Sequence, residues 1–344
     1  MFKPKFFNRF SAFSVWSIVI LFFLGGLVRT TGSGMGCPDW PKCFGVWIPP
    51  TTADELPEGY EQDYLKERKE KVNKLANTLD NIGWAIKAKA LRENSVSMEA
   101  HAFNVRKTYT EYINRLWGAL TGIITLLAAV SSLQFIRKQS VFTVLTGLGL
   151  LFVVINAWLG SVVVDTDLLG GVVTLHFVLA FISVAFFLLA NTWNKKAEGQ
   201  TNKTITVLIG VGLVLSVLQL ITGTGVRELV DSAAKVGSEI SMTNYMELLG
   251  ATFNIHRVLA LVSGLVVVIA YLQNRNKTNR PFTSLLLLLM IGILVIQALS
   301  GISNIRFGFP LVAQLVHVTL GSLTVVGFIY LMIFEIKSNR HHVD

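Results

Sequence analysis

Charge is scarce in this sequence. Asp, Glu, Lys and Arg supply 15% of its 344 residues, against about 25% in a typical soluble domain, which is too little to clothe a water-facing surface of that size. Cysteine is almost absent, with two residues, and this excludes a disulfide-dense secreted scaffold. The 28 glycines follow no G-X-Y period, so a collagen-like chain is excluded too. No P-loop is present and no G-x-G-x-x-G stands between a strand and a helix, so the usual nucleotide-cradling motifs are missing. What the sequence has in plenty is apolar surface: 52% hydrophobic residues and a mean hydropathy of +0.56. That is the composition of a membrane protein, in which a net charge of +9 reports sidedness. No nucleic-acid partner is expected.

A helix needs about 20 mostly apolar residues to cross a hydrocarbon core of about 30 Å. Eight stretches qualify, at 13–31, 112–134, 141–164, 171–193, 204–223, 252–273, 282–303 and 309–334. The first lacks an A-x-A-like cleavage site and is read as a retained span. Two short G-x-G pieces, at 32–34 and 223–225, are read as exits from spans one and five, since glycine lets a chain turn out of a helix.

Basic residues sort onto one side of these spans: Lys3, Lys5 and Arg9; Arg137 and Lys138; Lys195, Lys196 and Lys203; Arg275, Lys277 and Arg280; Lys337 and Arg340. The positive-inside rule then places both termini in the cytoplasm of a multi-pass protein of the bacterial inner membrane, surrounded by membrane lipid. One outer connector is long, from 32 to 110. Within its 61–92 segment Leu65, Val72, Leu79 and Ile86 recur every seven residues, with Leu75 and Ile82 between them. This spacing predicts an amphipathic helix, either a lid resting on the bundle or a docking surface.

The chain also repeats itself. Asn114-Arg115 matches His256-Arg257, and His176 matches His317, at spacings of 62 and 61 residues. I-N-A-W-L-G at 155–160 matches I-Q-A-L-S-G at 296–301. The expected fold is therefore an all-α integral membrane protein of two tandem four-helix units with the same orientation, 1–200 and 201–344.

Of six histidines, His341 and His342 lie in the terminal tail and His101 in the long connector. His176, His256 and His317 fall inside apolar spans, where an ionisable side chain is costly and marks function by default. The span directions put all three at one depth, near the outer face. Two imidazoles at one depth on neighbouring helices suit axial ligation of a heme iron, so His256 and His317 read as a bis-histidine pair. Copper or zinc would call for thiolate or carboxylate company. Arg115 and Arg257 follow the matched positions directly and are candidate partners for heme propionates, with snorkelling to water as the alternative.

The runs G-S-G-M-G-C-P-D-W-P-K-C-F-G at 32–45 and E-Y-I-N-R-L-W-G at 111–118, with the two later histidine segments, together resemble the heme A synthase family over nearly the whole chain. The resemblance implies oxidation of the C8 methyl group of heme O to a formyl group, giving heme A for cytochrome oxidase. It further implies a resident heme B on His256 and His317, the substrate heme O in the N-terminal half on His176, and a catalytic role for Glu111. A surface ion pair of Glu111 with Arg115 at i,i+4 is the other reading of that carboxylate. A heme O synthase is the implied supplier, and the electron donor is unidentified. In the family Cys37 and Cys43 form a disulfide, either as a staple or as a redox pair.

The sequence departs from the family in one place, since Asn114 stands where the pattern has histidine. Either the iron held by His176 keeps an open face, or another side chain such as His101 folds in. The rival function is a membrane heme carrier or a b-type electron conduit.

Overall fold

The computed structural model describes residues 4–193, 203–235, 242–275 and 280–340. His341 and His342 lie outside them. The described residues form ten α-helices and no strand beyond an isolated bridge between Cys43 and Val46. They are α1 (Pro4–Thr30), α2 (Tyr60–Asn81), α3 (Ala85–Val96), α4 (Val105–Ser132), α5 (Val141–Asp165), α6 (Gly170–Thr192), α7 (Lys203–Lys235), α8 (Met242–Arg275), α9 (Pro281–Arg306) and α10 (Leu311–Arg340). All but α2 and α3 are long and apolar enough to cross a membrane.

The helices outrun their apolar cores. α1 starts at Pro4, and α7 continues through Gly223 and Gly225 to Lys235, so the second G-x-G is not an exit. Its glycines face α8 instead: a Cβ at Gly223 would lie 3.1 Å from His256 Cε1, and one at Gly225 3.5 Å from Thr252 Cγ2. Gly32 does follow the end of α1, at φ +62°. Within α8 the helical path breaks at Gly250, at φ +44° and ψ −134°.

In the first half α1 packs on α4, α4 on α5, α5 on α6 and α6 on α1; in the second, α7 to α10 close a ring in the same sequence of neighbours. Glycine permits the close approaches. A Cβ at Gly149 of α5 would meet the Phe187 ring of α6 at 2.8 Å, and one at Gly212 of α7 would collide with the Phe328 ring of α10. Small residues under large ones let helices associate in lipid, where apolar transfer supplies little drive. Ile18, Phe22, Phe181, Val184 and Val325 bring α1, α6 and α10 into one cluster. The halves are also tied by polar contacts at one end: Arg29 of α1 pairs with Asp231 of α7 at 2.5 Å, where Arg227 of α7 also reaches the same carboxylate at 2.8 Å, and the Thr174 and Thr224 hydroxyls lie 2.6 Å apart.

At the opposite end Arg280 and Glu335 form an ion pair in which both side chains are buried, and the Thr206 hydroxyl donates to the same carboxylate at 3.3 Å. Removing one partner of a buried pair strands the other charge and costs about 3–5 kcal/mol, whereas replacing both by apolar groups is often neutral. Glu335→Ala is therefore expected to lower the thermal midpoint of the detergent-solubilised protein, and Arg280→Met with Glu335→Leu to restore most of it. Equal midpoints for all three proteins would show that the pair contributes nothing.

The long connector folds over the end that carries Asp231. Cys37 and Cys43 are disulfide-bonded there. The 61–92 segment is helical but not one helix: Gly83, at φ +84°, separates α2 from α3. Val72 and Ala76 pack with Ala88 and Leu91, while Ile82 and Ile86 are exposed, at 59% and 87%. The heptad thus ends at Leu79, because the left-handed turn at Gly83 starts α3 with a new face. The pair rests on the α5–α6 turn as a lid. Lys71 reaches Asp165 at 3.4 Å, Asn94 donates to the Thr166 carbonyl at 2.9 Å, and buried Arg68 lies 3.8 Å from Asp167. Burial lowers the Arg68 guanidinium from its usual value, with Asp167 and Asp165 opposing the shift. Under the lid, Phe44 makes edge contacts with Tyr60, Tyr64 and Phe103, and burial pushes the Tyr64 phenol up to about 12.

Candidate functional site

α4 is started by Asn104, whose side chain accepts from the Lys107 backbone N–H at 3.1 Å. The cap sets where the first turns of α4 present their side chains. On those turns sits the disulfide loop, so close that a Cβ at Gly36 would lie 2.5 Å from the Lys107 carbonyl group. The Thr108 hydroxyl donates to the Gly36 carbonyl at 2.8 Å.

This docking places Glu111 inside the loop. Its carboxylate, 3% exposed, accepts from the Cys37 backbone N–H through Oε2 at 2.8 Å, and from Arg115 Nε and Nη2 through Oε1 at 3.1 and 2.5 Å. The i,i+4 ion pair exists, but it is buried rather than at the surface. Arg115 also donates to the carbonyls of Asp39 at 2.5 Å, Lys42 at 2.9 Å and Cys37 at 2.8 Å. A guanidinium has five N–H groups, and these contacts engage all three of its nitrogens. Arg115 is thus a brace between Glu111 and the disulfide loop, and a propionate contact would have to displace one of these bonds.

One turn after Glu111 comes Asn114, whose Oδ1 is buried without a hydrogen-bond partner. In the same half His176 is the seventh residue of α6. Its ring lies against Gly160, where a Cβ would be 3.4 Å from Cε1, and its Nδ1 is likewise buried and unpartnered. His101 is held away in the segment between α3 and α4, with Nε2 3.2 Å from Asp167 Oδ1.

The second half brings two imidazoles together. His317, the seventh residue of α10, and His256 of α8 have ring centroids 6.1 Å apart, inclined at 59°. His317 Nδ1 is 2.9 Å from the Gln297 carbonyl and 3.3 Å from Ser300 Oγ; His256 Nδ1 is 3.1 Å from Thr222 Oγ1. A carbonyl only accepts, so His317 carries its proton on Nδ1 and Nε2 keeps the lone pair. Two metal–imidazole bonds of about 2 Å, with about 1.1 Å from each nitrogen to its ring centre, would set the centroids roughly 6.2 Å apart. The observed separation fits one iron between the rings. Among the described residues no group of three His, Cys, Asp or Glu is gathered for a bare metal ion. Arg257 is exposed, with its guanidinium 5.5 Å over the Phe253 ring.

Sequence reasoning missed the residues that hold these rings, Thr222, Ser300 and the Gln297 carbonyl. The signal was present, since Q-L-I-T-G at 219–223 recurs as Q-A-L-S-G at 297–301.

Fold and site together define a class: a polytopic, all-helical membrane protein with a facing imidazole pair in one half and a braced, buried carboxylate in the other. The chain belongs to the COX15-CtaA family of cytochrome oxidase assembly proteins, whose pattern matches residues 8–84 and 84–329. It is similar to the heme A synthase of Wolbachia pipientis subsp. Culex pipiens (strain wPip), at 25% identity over 87% of this chain and 88% of the relative. A second heme A synthase, from Exiguobacterium sibiricum, is 22% identical over 73% of this chain and 69% of its own length.

Proposed function

We propose that this protein is an oxidoreductase that converts heme O to heme A by oxidising the C8 methyl group to a formyl group. The single observation that carries the heme assignment is the His256–His317 pair, 6.1 Å between centroids with both Nδ1 atoms turned to α7 and α9. These two side chains would hold a resident heme B through their imidazole nitrogens, and Arg257 would be the cation open to its propionates. When bound, that heme supplies a one-electron redox centre next to the substrate half.

Heme O is the substrate, bound in the N-terminal half with His176 toward its iron. Asn114 offers an amide where a second imidazole would stand, and this favours an open opposite face. Glu111 is the acid–base group of the site. The loop N–H and Arg115 orient its carboxylate before substrate arrives, and the disulfide loop docked on α4 leaves it only 3% exposed to water. Two four-helix units of the same orientation carry these functions, 1–200 for substrate and 201–344 for the resident heme. Both termini face the cytoplasm of the bacterial inner membrane, and both heme sites lie near its outer face. A heme O synthase in the same membrane supplies the substrate.

Co-expression with a heme O synthase, followed by acid extraction, chromatography and mass measurement of the pigments, tests the reading. The formyl product is expected. Recovery of unmodified heme B and heme O alone, while a heme A synthase run in parallel gives product, would replace the reading by a heme carrier or electron conduit.

A further inference from the structure

Three imidazoles sit in equivalent seats. Each lies edge-on against a glycine of the preceding helix: His256 against Gly223, His317 against Gly301 and His176 against Gly160, where a Cβ would approach Cε1 to 3.1, 3.0 and 3.4 Å. In the second half the residue just before the glycine is a hydroxyl, Thr222 or Ser300, and its oxygen faces Nδ1 at 3.1 or 3.3 Å.

The direction of these bonds follows from the hydroxyl's own proton. Ser300 Oγ donates to the Gln297 carbonyl at 2.8 Å, and Thr222 Oγ1 donates within its helix to the carbonyl of Leu218 at 3.0 Å or Gln219 at 3.2 Å. With that proton committed, Thr222 Oγ1 offers His256 its lone pairs and accepts from Nδ1, while the His317 Nδ1 proton, donated to the Gln297 carbonyl at 2.9 Å, is shared with Ser300 Oγ at 3.3 Å. Both rings are thereby fixed in the tautomer that presents Nε2 to a metal, and each ring becomes more basic.

The first half has the seat without the hydroxyl. Leu159, buried, occupies the position of Ser300, and His176 Nδ1 has no partner. Asn156, at the position of Gln297, also keeps a buried Oδ1 unpartnered.

We propose that the residue before the seat glycine sorts the two hemes: Thr222 and Ser300 lock their imidazoles and make the C-terminal heme a retained one, while Leu159 leaves His176 unlocked so that the N-terminal heme exchanges. Thr222 and Ser300 are positioning residues, acting through His256 and His317. The inference rests on the assignment of those histidines as heme ligands and adds the basis on which substrate is told from resident cofactor.

The test uses the full chain purified with its heme. Loss of an outer-sphere partner typically weakens metal binding 10- to 100-fold, so Ser300→Ala and, separately, Thr222→Val are expected to pass heme to apomyoglobin about 10- to 100-fold faster than the parent. Their midpoint potentials, read by spectroelectrochemistry, should move up as the ring loses basicity. Ser300→Thr, which keeps the hydroxyl, should match the parent in both readouts. In a protein lacking His256 and His317, Leu159→Ser should slow transfer of heme loaded into the N-terminal half.

Parent-like rates and potentials in both Ser300→Ala and Thr222→Val would overturn the proposal, even if heme is lost from His256→Ala and His317→Ala as the ligand assignment requires. A parent protein that holds no heme, or histidine variants that keep it, would overturn the ligand assignment and this inference with it.

Discussion

Replacing His317 by alanine is expected to strip the resident heme from the purified protein. The imidazole leaves a position where its ring faces His256 across 6.1 Å, and no neighbouring side chain replaces the nitrogen: Ser300 Oγ donates to the Gln297 carbonyl and faces Nδ1, and Gln297 Oε1 accepts from the Thr324 hydroxyl. A single remaining imidazole holds iron on one face only. Heme content per protein, measured as the pyridine adduct, should fall to background, and the low-spin signal in electron paramagnetic resonance should disappear. His256→Ala should do the same. A variant that keeps a normal low-spin spectrum would take His317 out of the ligand set.

Glu111→Gln is expected to leave that heme in place and to abolish most methyl oxidation. The amide keeps the size of the carboxylate and one oxygen able to accept from the Cys37 N–H, now held at 2.8 Å. It loses the charge that faces Arg115 at 2.5 Å and the capacity to exchange a proton. General acid–base groups contribute about 10²- to 10⁴-fold in rate, so formyl product should fall by at least about two orders of magnitude at unchanged resident heme. Glu111→Ala is the harsher change, because it strands the buried Cys37 N–H and leaves the partly buried Arg115 without its counter-charge. Normal product from the Gln variant would reduce Glu111 to a structural brace of the loop.

Much of this architecture is legible in the sequence, for physical reasons that also mark where reading stops. The eight spans declare themselves because the hydrocarbon core sets a minimum apolar length. His256 and His317 stand out as ionisable side chains inside such runs, at a spacing that recurs in the other half. Thr222 and Ser300 do not stand out, because a hydroxyl in an apolar helix satisfies itself on the carbonyl three or four residues back. Only tertiary packing shows that its other side meets an imidazole. Gly223 looks like an exit for the same reason, since an exit and a seat both call for a residue without a side chain. The partnership of Glu111 with Cys37 spans 74 residues, and no local pattern announces a contact that forms when the chain returns from the lid.

The heptad misleads at Ile86 in an instructive way. A seven-residue recurrence is evidence for a helix only while the backbone stays helical, and Gly83 at φ +84° resets the phase. The pattern remains in the letters while the side chains turn away.

The clamp on Glu111 divides the long connector into two parts with different tolerance for insertion. Between Cys37 and Cys43 the backbone is part of the carboxylate's setting: three carbonyls bind Arg115 and one N–H binds Glu111. Adding or deleting a residue there moves the acid, so the ring size is tied to the chemistry. The helical pair α2–α3 carries no such constraint. It touches the bundle through Lys71, Asn94 and Arg68, and its tip at 82–84 is exposed. For an engineer, that tip is the place to graft a tag or a second domain without disturbing the acid beneath it.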